Sequence, residues 1–409
     1  MGCQASIRWQ RGLVVTLLAL QLCSGCGEGT ATSTAAQPTS AQPYDYCTDR
    51  PPDAACYAAK RAPLSDNMAL ARAIADRYIS EHPPATQKWD WGPTVQMFAF
   101  SELYRVTGDA TYQQYYKQWM DAQIAQGYAI HSSDTCAPAL IAAILSMQLG
   151  GEQYHVVVND ALDYLDHRAL RTAQGGINHL GDSRVLGVTL WLDSLFMFGN
   201  LLTRWGEFAP DPARLDMMGG QFRIFTELLQ SPSGLYVHAY GYKPKVDTDI
   251  YWGRGNGWVT AAGYDYLRAR LGRGEDDPLV QQALRNQVNA LVELQDQDTG
   301  LWWTILNRPG ETYLETSAGA LFAYGMARAY RYGFLDAAVL PVVAKAMHGV
   351  RSRIVNDDQG RPVVTGVSLG TSAGTFQYYK SIATGDDINY GVGAVLLSLI
   401  ETSGLPLGG

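Results

Sequence analysis

Two kinds of helix alternate along this chain, and the alternation limits its fold more than any other feature. One kind is charged and polar along one face, near residues 66–80, 109–125, 152–170, 210–230, 277–297 and 335–351. The other is rich in Ala, Gly, Leu, Phe and Met and nearly free of charge, near 92–106, 134–149, 188–205, 254–270, 315–331 and 389–403. Within the second kind, Ala318, Leu321, Phe322, Gly325 and Ala329 recur at helical spacing, as do Val95, Ala99, Leu103 and Val106. Turn signals separate the segments: Thr107-Gly-Asp109, Leu149-Gly-Gly-Glu152 and Tyr332 to Asp336. A helix that is apolar all round must be buried, and an amphipathic one covers it. Six of each predict an all-α (α/α)6 barrel of six inner and six outer helices. An open helical solenoid is the competing arrangement; the low charge of the second set favours closure. A short strand is expected in a loop such as Gly234 to Tyr240.

The barrel is expected to occupy residues 61–409, after a leader (1–25) and a linker (26–60). Arg8 and Arg11 precede the apolar run Leu13 to Leu22, which is short for a membrane span and reads as an export signal. The Cys-Ser-Gly-Cys run that follows resembles a lipoprotein processing box, making Cys26 the candidate for lipidation, although Cys23 stands where leucine is usual. The expected location is therefore exported, lipid-anchored at the cell envelope or free outside the cytoplasm. The only membrane contact expected is that anchor. The Thr/Ala/Gln/Pro/Ser-rich stretch after it cannot build a core. Cys47 and Cys56 are spaced to pair in an oxidising compartment, whereas Cys136 reads as a small buried hydrophobe. The net charge is -8 without any basic run, which argues against nucleic acid as a partner. No metal-binding motif is present, and neither a metal nor a cofactor is expected.

Chemistry-bearing residues gather where inner helices begin. Trp89, Asp90 and Trp91 stand before the first, and His131 and Asp134 at the second. His179, Trp191 and Asp193 lie near the third, and His238, Trp252, Arg254 and Trp258 before the fourth. Glu315 and Thr316 open the fifth, Asn389 and Tyr390 the sixth. Taken singly, Asp134 and Thr316 read as helix caps and the tryptophans as core. Their recurrence at equivalent points of a ring places them at one mouth. There, Trp-Gly-Arg-Gly-Asn-Gly-Trp (Trp252 to Trp258) reads as a clamp for an acidic sugar: indole walls, a guanidinium fork for a carboxylate, and glycines for close approach. Asp193, set among Trp191, Leu192, Leu195 and Phe196, is expected to stay protonated and act as a general acid, since burial disfavours a charge.

The segments Trp191 to Met197, Gly234 to Tyr240, Tyr251 to Trp258, Tyr313 to Tyr324 and Gly370 to Glu401 together resemble the unsaturated glycuronyl hydrolases, glycoside hydrolase families 88 and 105, and the rhamnogalacturonyl branch more closely. That resemblance implies an (α/α)6 barrel working without metal or cofactor. Its substrate would be a lyase-generated oligosaccharide ending in a 4,5-unsaturated uronic acid. A proton is added at C4 and water at C5, and the resulting hemiketal opens to expel the remaining sugar. It implies Asp193 as the catalytic acid that protonates C4 and Asp134 as a second catalytic aspartate that assists or orients. Trp91, His179, His238, Trp252, Arg254 and Trp258 would bind substrate, and Trp191 and Glu315 join them as expected binding residues by their place at the mouth. The run Asn178-His179-Leu180 departs from the family's Trp-His-Lys, which bears on the sugar accepted beyond the bond cleaved. Two other readings fit the same residues: a different (α/α)6 sugar enzyme, epimerase or lyase, and a non-catalytic surface lipoprotein that captures acidic glycans.

Overall fold

A computed structural model describes residues 55–56, 66–182, 185, 187–208 and 211–407. The leader, Cys26 and Cys47 lie outside these.

Six inner helices form a ring. They are α2 (Trp91–Thr107), α5 (Ala139–Leu149), α7 (Ser194–Phe208), α9 (Gly253–Gly272), α11 (Thr316–Arg331) and α14 (Asn389–Thr402). Each packs against the next, and α14 packs against both α11 and α2, so the ring is closed rather than solenoidal. Outside it run α1 (Asp66–Glu81), α3 (Ala110–Gln126), α6 (Glu152–Asp163), α8 (Ala213–Leu229), α10 (Pro278–Glu293) and α12 (Leu340–Ser352). The burial patterns match the two kinds of sequence. In α10 only one stripe is buried: Val280, Ala283, Leu284, Gln287, Val288 and Leu291. Every residue of α14 from Tyr390 to Thr402 is buried.

Local chemistry sets the ends. Gly108, at φ 68, closes α2, and Asp109 caps α3 by accepting from the Thr111 N–H at 3.1 Å. Asp277 caps α10, with Pro278 in its first turn. Two inner elements depart from expectation. The second is broken: a short turn α4 (Ser133–Cys136) precedes Pro138, and α5 begins only at Ala139. The third begins at Ser194, not near 188, because β1 (Leu190–Trp191) pairs antiparallel with β2 (Ala239–Tyr240). Six further strands of two or three residues make three more antiparallel pairs: β3 (Trp302–Trp303) with β4 (Leu314–Glu315), β5 (Ile354–Asn356) with β6 (Pro362–Val364), and β7 (Val367–Ser368) with β8 (Thr384–Gly385).

At the C-terminal ends of five inner helices the ring is filled with charge. Glu102 accepts from Arg105 at 2.7 Å, Arg204 at 3.0 Å and Arg328 at 2.8 Å. Asp265 accepts from Arg204 at 3.2 Å, Arg268 at 3.0 Å and Arg328. Glu207 takes both arms of Arg268, at 2.7 and 2.6 Å, and Glu401 accepts from Arg328 at 3.0 Å. All are buried. Because these residues sit late in their helices and meet, the inner helices run parallel, and their N-termini share the opposite mouth. Burial pushes the Asp265 carboxyl up, but Arg204, Arg268 and Arg328 outweigh it and bring its pKa down to about 2. Glu102 is held well below the carboxylate range by the same competition.

Removing one carboxylate leaves an excess of buried positive charge among its partners. Asp265→Asn is expected to cost about 3–5 kcal/mol in urea unfolding at pH 7. The folded pKa of Asp265 lies below the unfolded one, so its contribution is whole above about pH 4 and is lost as pH falls towards 2. The gap between wild type and variant should therefore be flat from neutral pH to about pH 5 and shrink below about pH 4.

Candidate active site

At the open mouth four loops bring two carboxyls and two imidazoles together. The turn Asn178-His179-Leu180-Gly181 sets the first imidazole. Asn178 bridges it, donating to the Gly181 carbonyl at 2.6 Å and accepting from the Thr189 N–H at 2.7 Å. The His179 carbonyl accepts from the Ser133 N–H at 3.0 Å, which ties this turn to the loop carrying Asp134. Gly181 has φ +78, and a Cβ there would lie 1.7 Å from the His131 carbonyl oxygen. Only glycine allows that approach.

His179 lies flat on Trp191, with centroids 4.5 Å apart and planes at 13°. Its Nδ1 is 3.0 Å from the Ser194 hydroxyl, and its Nε2 is 3.8 Å from Asp134 Oδ2. Capping of α4 falls to Ser132, whose hydroxyl accepts from the Thr135 N–H, so the Asp134 carboxyl is left to the cleft. The β1–β2 pair supplies the other half. Leu192 N–H donates to the His238 carbonyl at 3.1 Å, which lays His238 beside Asp193, and Nε2 of His238 is 3.1 Å from Asp193 Oδ2. Trp252 stacks on His238 at 4.3 Å, and Trp191 meets it edge-on at 5.1 Å.

The carboxyls are pushed in opposite directions. Burial raises Asp193, but the hydrogen bond and charge of His238, with His179, outweigh it and leave its pKa below the ordinary value. The expectation of a protonated Asp193 is thus corrected: its neighbours are apolar along the helix but basic across the cleft. Asp134 is raised well above the usual range, by burial and then by the negative charges of Asp193 and Asp90. Its side chain keeps 35% exposure, so solvent moderates the burial component, and the direction stands on the two neighbouring carboxylates. Burial lowers His179 to about 4, so it is neutral at pH 7.

Beside this pair, Asp90, Trp91, Gly92, Asn389 and Tyr390 line a cavity of about 350 Å³, with Gln87 and Lys88 at its rim. That volume lies at the small end of ligand sites. Trp91 is half-buried and rests on Tyr390 at 4.6 Å. Leu180, where the family resemblance leads one to expect lysine, packs on an apolar cluster of Trp191, Ala239 and Ala373.

The acidic-sugar clamp is corrected. Arg254 is 1% exposed and donates to the carbonyls of Ser368 at 2.7 Å and Leu369 at 2.9 Å and to the Thr371 hydroxyl at 3.0 Å. Its guanidinium is sandwiched by Trp252 and Tyr390, 4.9 and 5.0 Å from the ring centroids. It holds the 368–371 loop and offers no fork to a ligand. Trp258 is fully buried against Phe196, and Trp252 has 2% of its surface exposed, as the floor under His238. The glycines serve packing: a Cβ on Gly255 would strike Leu192, and one on Gly257 would strike Leu321. Glu315 is also removed from the binding set. It is wholly buried, caps α11 through the N–H groups of Ser317 and Ala318, and accepts from Ser368 N–H at 2.9 Å. Sequence reading missed Ser194 and Tyr379, which acquire meaning only through partners far along the chain. Among the described residues no group of three or more His, Cys, Asp or Glu side chains is arranged to hold a metal ion.

Two carboxyls pushed in opposite directions, on an aromatic floor at the mouth of an (α/α)6 barrel, make an acid–base site suited to sugars. The chain belongs to Glycosyl Hydrolase Family 88, whose model matches residues 68–405, and it is a glycoside hydrolase. It is 30% identical over 251 residues to the unsaturated rhamnogalacturonyl hydrolase YesR of Bacillus subtilis, covering 60% of this chain and 72% of that protein. A crystal structure of a possible family 105 member from Klebsiella pneumoniae superposes with a TM-score of 0.73 at 26% identity, over 82% of this chain and 92% of that one. The unsaturated glucuronyl hydrolase of Bacillus sp. GL1 shares the fold, with a TM-score of 0.64 at 16% identity over 81% and 95% of the two chains.

Arg254→Lys keeps the charge but cannot serve two carbonyls and a hydroxyl at once. It is expected to lower stability by about 2 kcal/mol, read by thermal unfolding, and to lower activity by loosening the loop. Gly181→Ala should abolish activity outright, because the turn carrying His179 must move away from the His131 carbonyl.

Proposed function

We propose that this protein releases a terminal 4,5-unsaturated uronic acid from oligosaccharides left by polysaccharide lyases, by hydrating the C4=C5 double bond. The observation that carries the reading is the carboxyl pair: burial and the charges of Asp193 and Asp90 push Asp134 well above the ordinary carboxylate range, while Asp193, paired with His238, is held below it. In this reading Asp134 gives its proton to C4 while Asp193 accepts one from the water that bonds to C5. The new C5–OH makes a hemiketal. Its ring opens, the bond to the leaving sugar breaks, and the released oxygen regains a proton. Atoms balance as substrate plus one water. The ordinary displacement at C1 is not needed, so the separation of the carboxyls does not decide stereochemistry.

An anionic substrate is supported by the electrostatics of the mouth. Arg254 is buried beneath it, its guanidinium bonded to two neutral carbonyls and a hydroxyl, and N-termini of the inner helices add partial positive charge. Trp91 offers the half-exposed aromatic face on which the ring would rest. Likeness to YesR favours a rhamnogalacturonan-type substrate, whereas Leu180, packed among apolar side chains where the family shows lysine, points to a leaving sugar other than that of the rhamnogalacturonan disaccharide. Export, with lipid attachment at Cys26, belongs to the same proposal and rests on the leader's sequence alone.

The test follows ultraviolet absorbance of the unsaturated ring in lyase-digested rhamnogalacturonan and glycosaminoglycan fragments. Absorbance should fall with wild type. Asp193→Asn and Asp134→Asn should each reduce kcat/KM by about 10²–10⁴ without loss of fold. Absorbance that rises on undigested polymer would instead make the protein a lyase, and binding without turnover would make it a glycan receptor.

A further inference from the structure

Behind the carboxyl pair stands a tyrosine with no part in the chemistry above. Tyr379 lies on a short helix, α13 (Phe376–Ser381), and is 141 residues from the histidine it meets. The helix is held in place at its start: Asp247 accepts from the Phe376 N–H at 2.7 Å, and Thr375 caps it. Tyr379 is therefore buried, with 3% of its surface exposed.

Its hydroxyl has two neighbours. The Gly374 N–H donates to Oη at 3.3 Å, and His238 Nδ1 lies 2.7 Å away. An amide N–H can only donate, so the phenolic proton needs another partner. A buried hydroxyl does not leave its proton unpaired, and the imidazole nitrogen is the acceptor within reach. Burial also holds the phenol far above its ordinary range, so the proton stays on Oη. A neutral imidazole that accepts at Nδ1 carries its hydrogen on Nε2. That nitrogen is the one 3.1 Å from Asp193 Oδ2. Stacking on Trp252 fixes the plane of the ring but is blind to which nitrogen is protonated.

We infer that Tyr379 is a positioning residue that fixes the tautomer of His238, so that Nε2–H always points at Asp193 and keeps that carboxyl a hydrogen-bond acceptor. The series is directional: Gly374 N–H to Tyr379 O–H to His238 Nδ1, then His238 Nε2–H to Asp193. Other charged or titratable groups act on its members. His179 and Asp134 face Asp193, Asp90 acts on Asp134, and Asp247 and Tyr378 act on Tyr379. None of them contacts Nδ1 of His238. The catalytic meaning of the relay rests on the hydrolase reading; the tautomer does not.

The experiment is a long-range ¹H–¹⁵N spectrum of the full protein labelled in histidine, with His238→Gln identifying the signal. In wild type at about pH 8, above the ordinary imidazole range, Nδ1 should be pyridine-like and Nε2 pyrrole-like. In Tyr379→Phe both should move towards averaged shifts. The acid limb of kcat/KM should move to higher pH, because Asp193 loses its fixed donor, and kcat should fall about ten- to a hundredfold with KM little changed. A pyrrole-like Nδ1 in wild type overturns the inference even if the variant does not fold. So does a folded Tyr379→Phe that loses thermal stability but leaves the His238 shifts and the acid limb in place. Absence of turnover on every unsaturated oligosaccharide, with the tautomer as stated, would sink the hydrolase reading and leave this one standing.

Discussion

The mouth of the barrel depends on the charges that hold its other end. Parallel helices in a closed ring bring their C-terminal carbonyl ends together, and cations among them answer that negative pole. Arginines from α7, α9 and α11 interlock there with carboxylates from α2, α7, α9 and α14. Arg328 alone links three other helices, through Glu102, Asp265 and Glu401. Such a lattice is weak evidence for net stability, since desolvation opposes attraction. What it does is specify register: a helix displaced by a turn would strand a buried charge. The same register sets where each inner helix begins, and thus where the loops at the mouth place their side chains.

At that mouth the protein separates two similar groups by their surroundings. Asp193 faces an imidazole that donates to it, and Asp134 faces carboxylates. Donation from the imidazole lowers the first, and burial with neighbouring negative charge raises the second, so the two carboxyls are pushed apart. Aromatic rings under both histidines restrict movement and water. Arg254, walled in by Trp252 and Tyr390, keeps positive charge beneath the cleft.

Periodicity and burial were legible at once, because an all-apolar helix has nowhere to go but inside. Twelve helices and their alternation follow from that. The break at Pro138 and the late start of α7 were not, since both answer to neighbours: the turn at Asp134 and the pairing of Trp191 with Ala239. The site was half legible. Asp134, His179, Trp191, Asp193 and His238 do lie together. Arg254, Trp258 and Glu315 have the chemistry of ligand-binding residues, but their partners are backbone groups and core. Type and motif cannot tell a guanidinium that grips a sugar acid from one that grips two carbonyls.

The order of elements, the closed ring and the end at which polar residues gather were set by the sequence alone, through the 3.6-residue period and the sparing use of charge on inner helices. Protonation was decided only by tertiary structure. Which carboxyl keeps a proton, and which nitrogen of His238 carries one, depends on contacts spanning tens to more than a hundred residues, among them Tyr379 to His238. A pKa is a property of the space around a group, and that space exists only once the ring has closed.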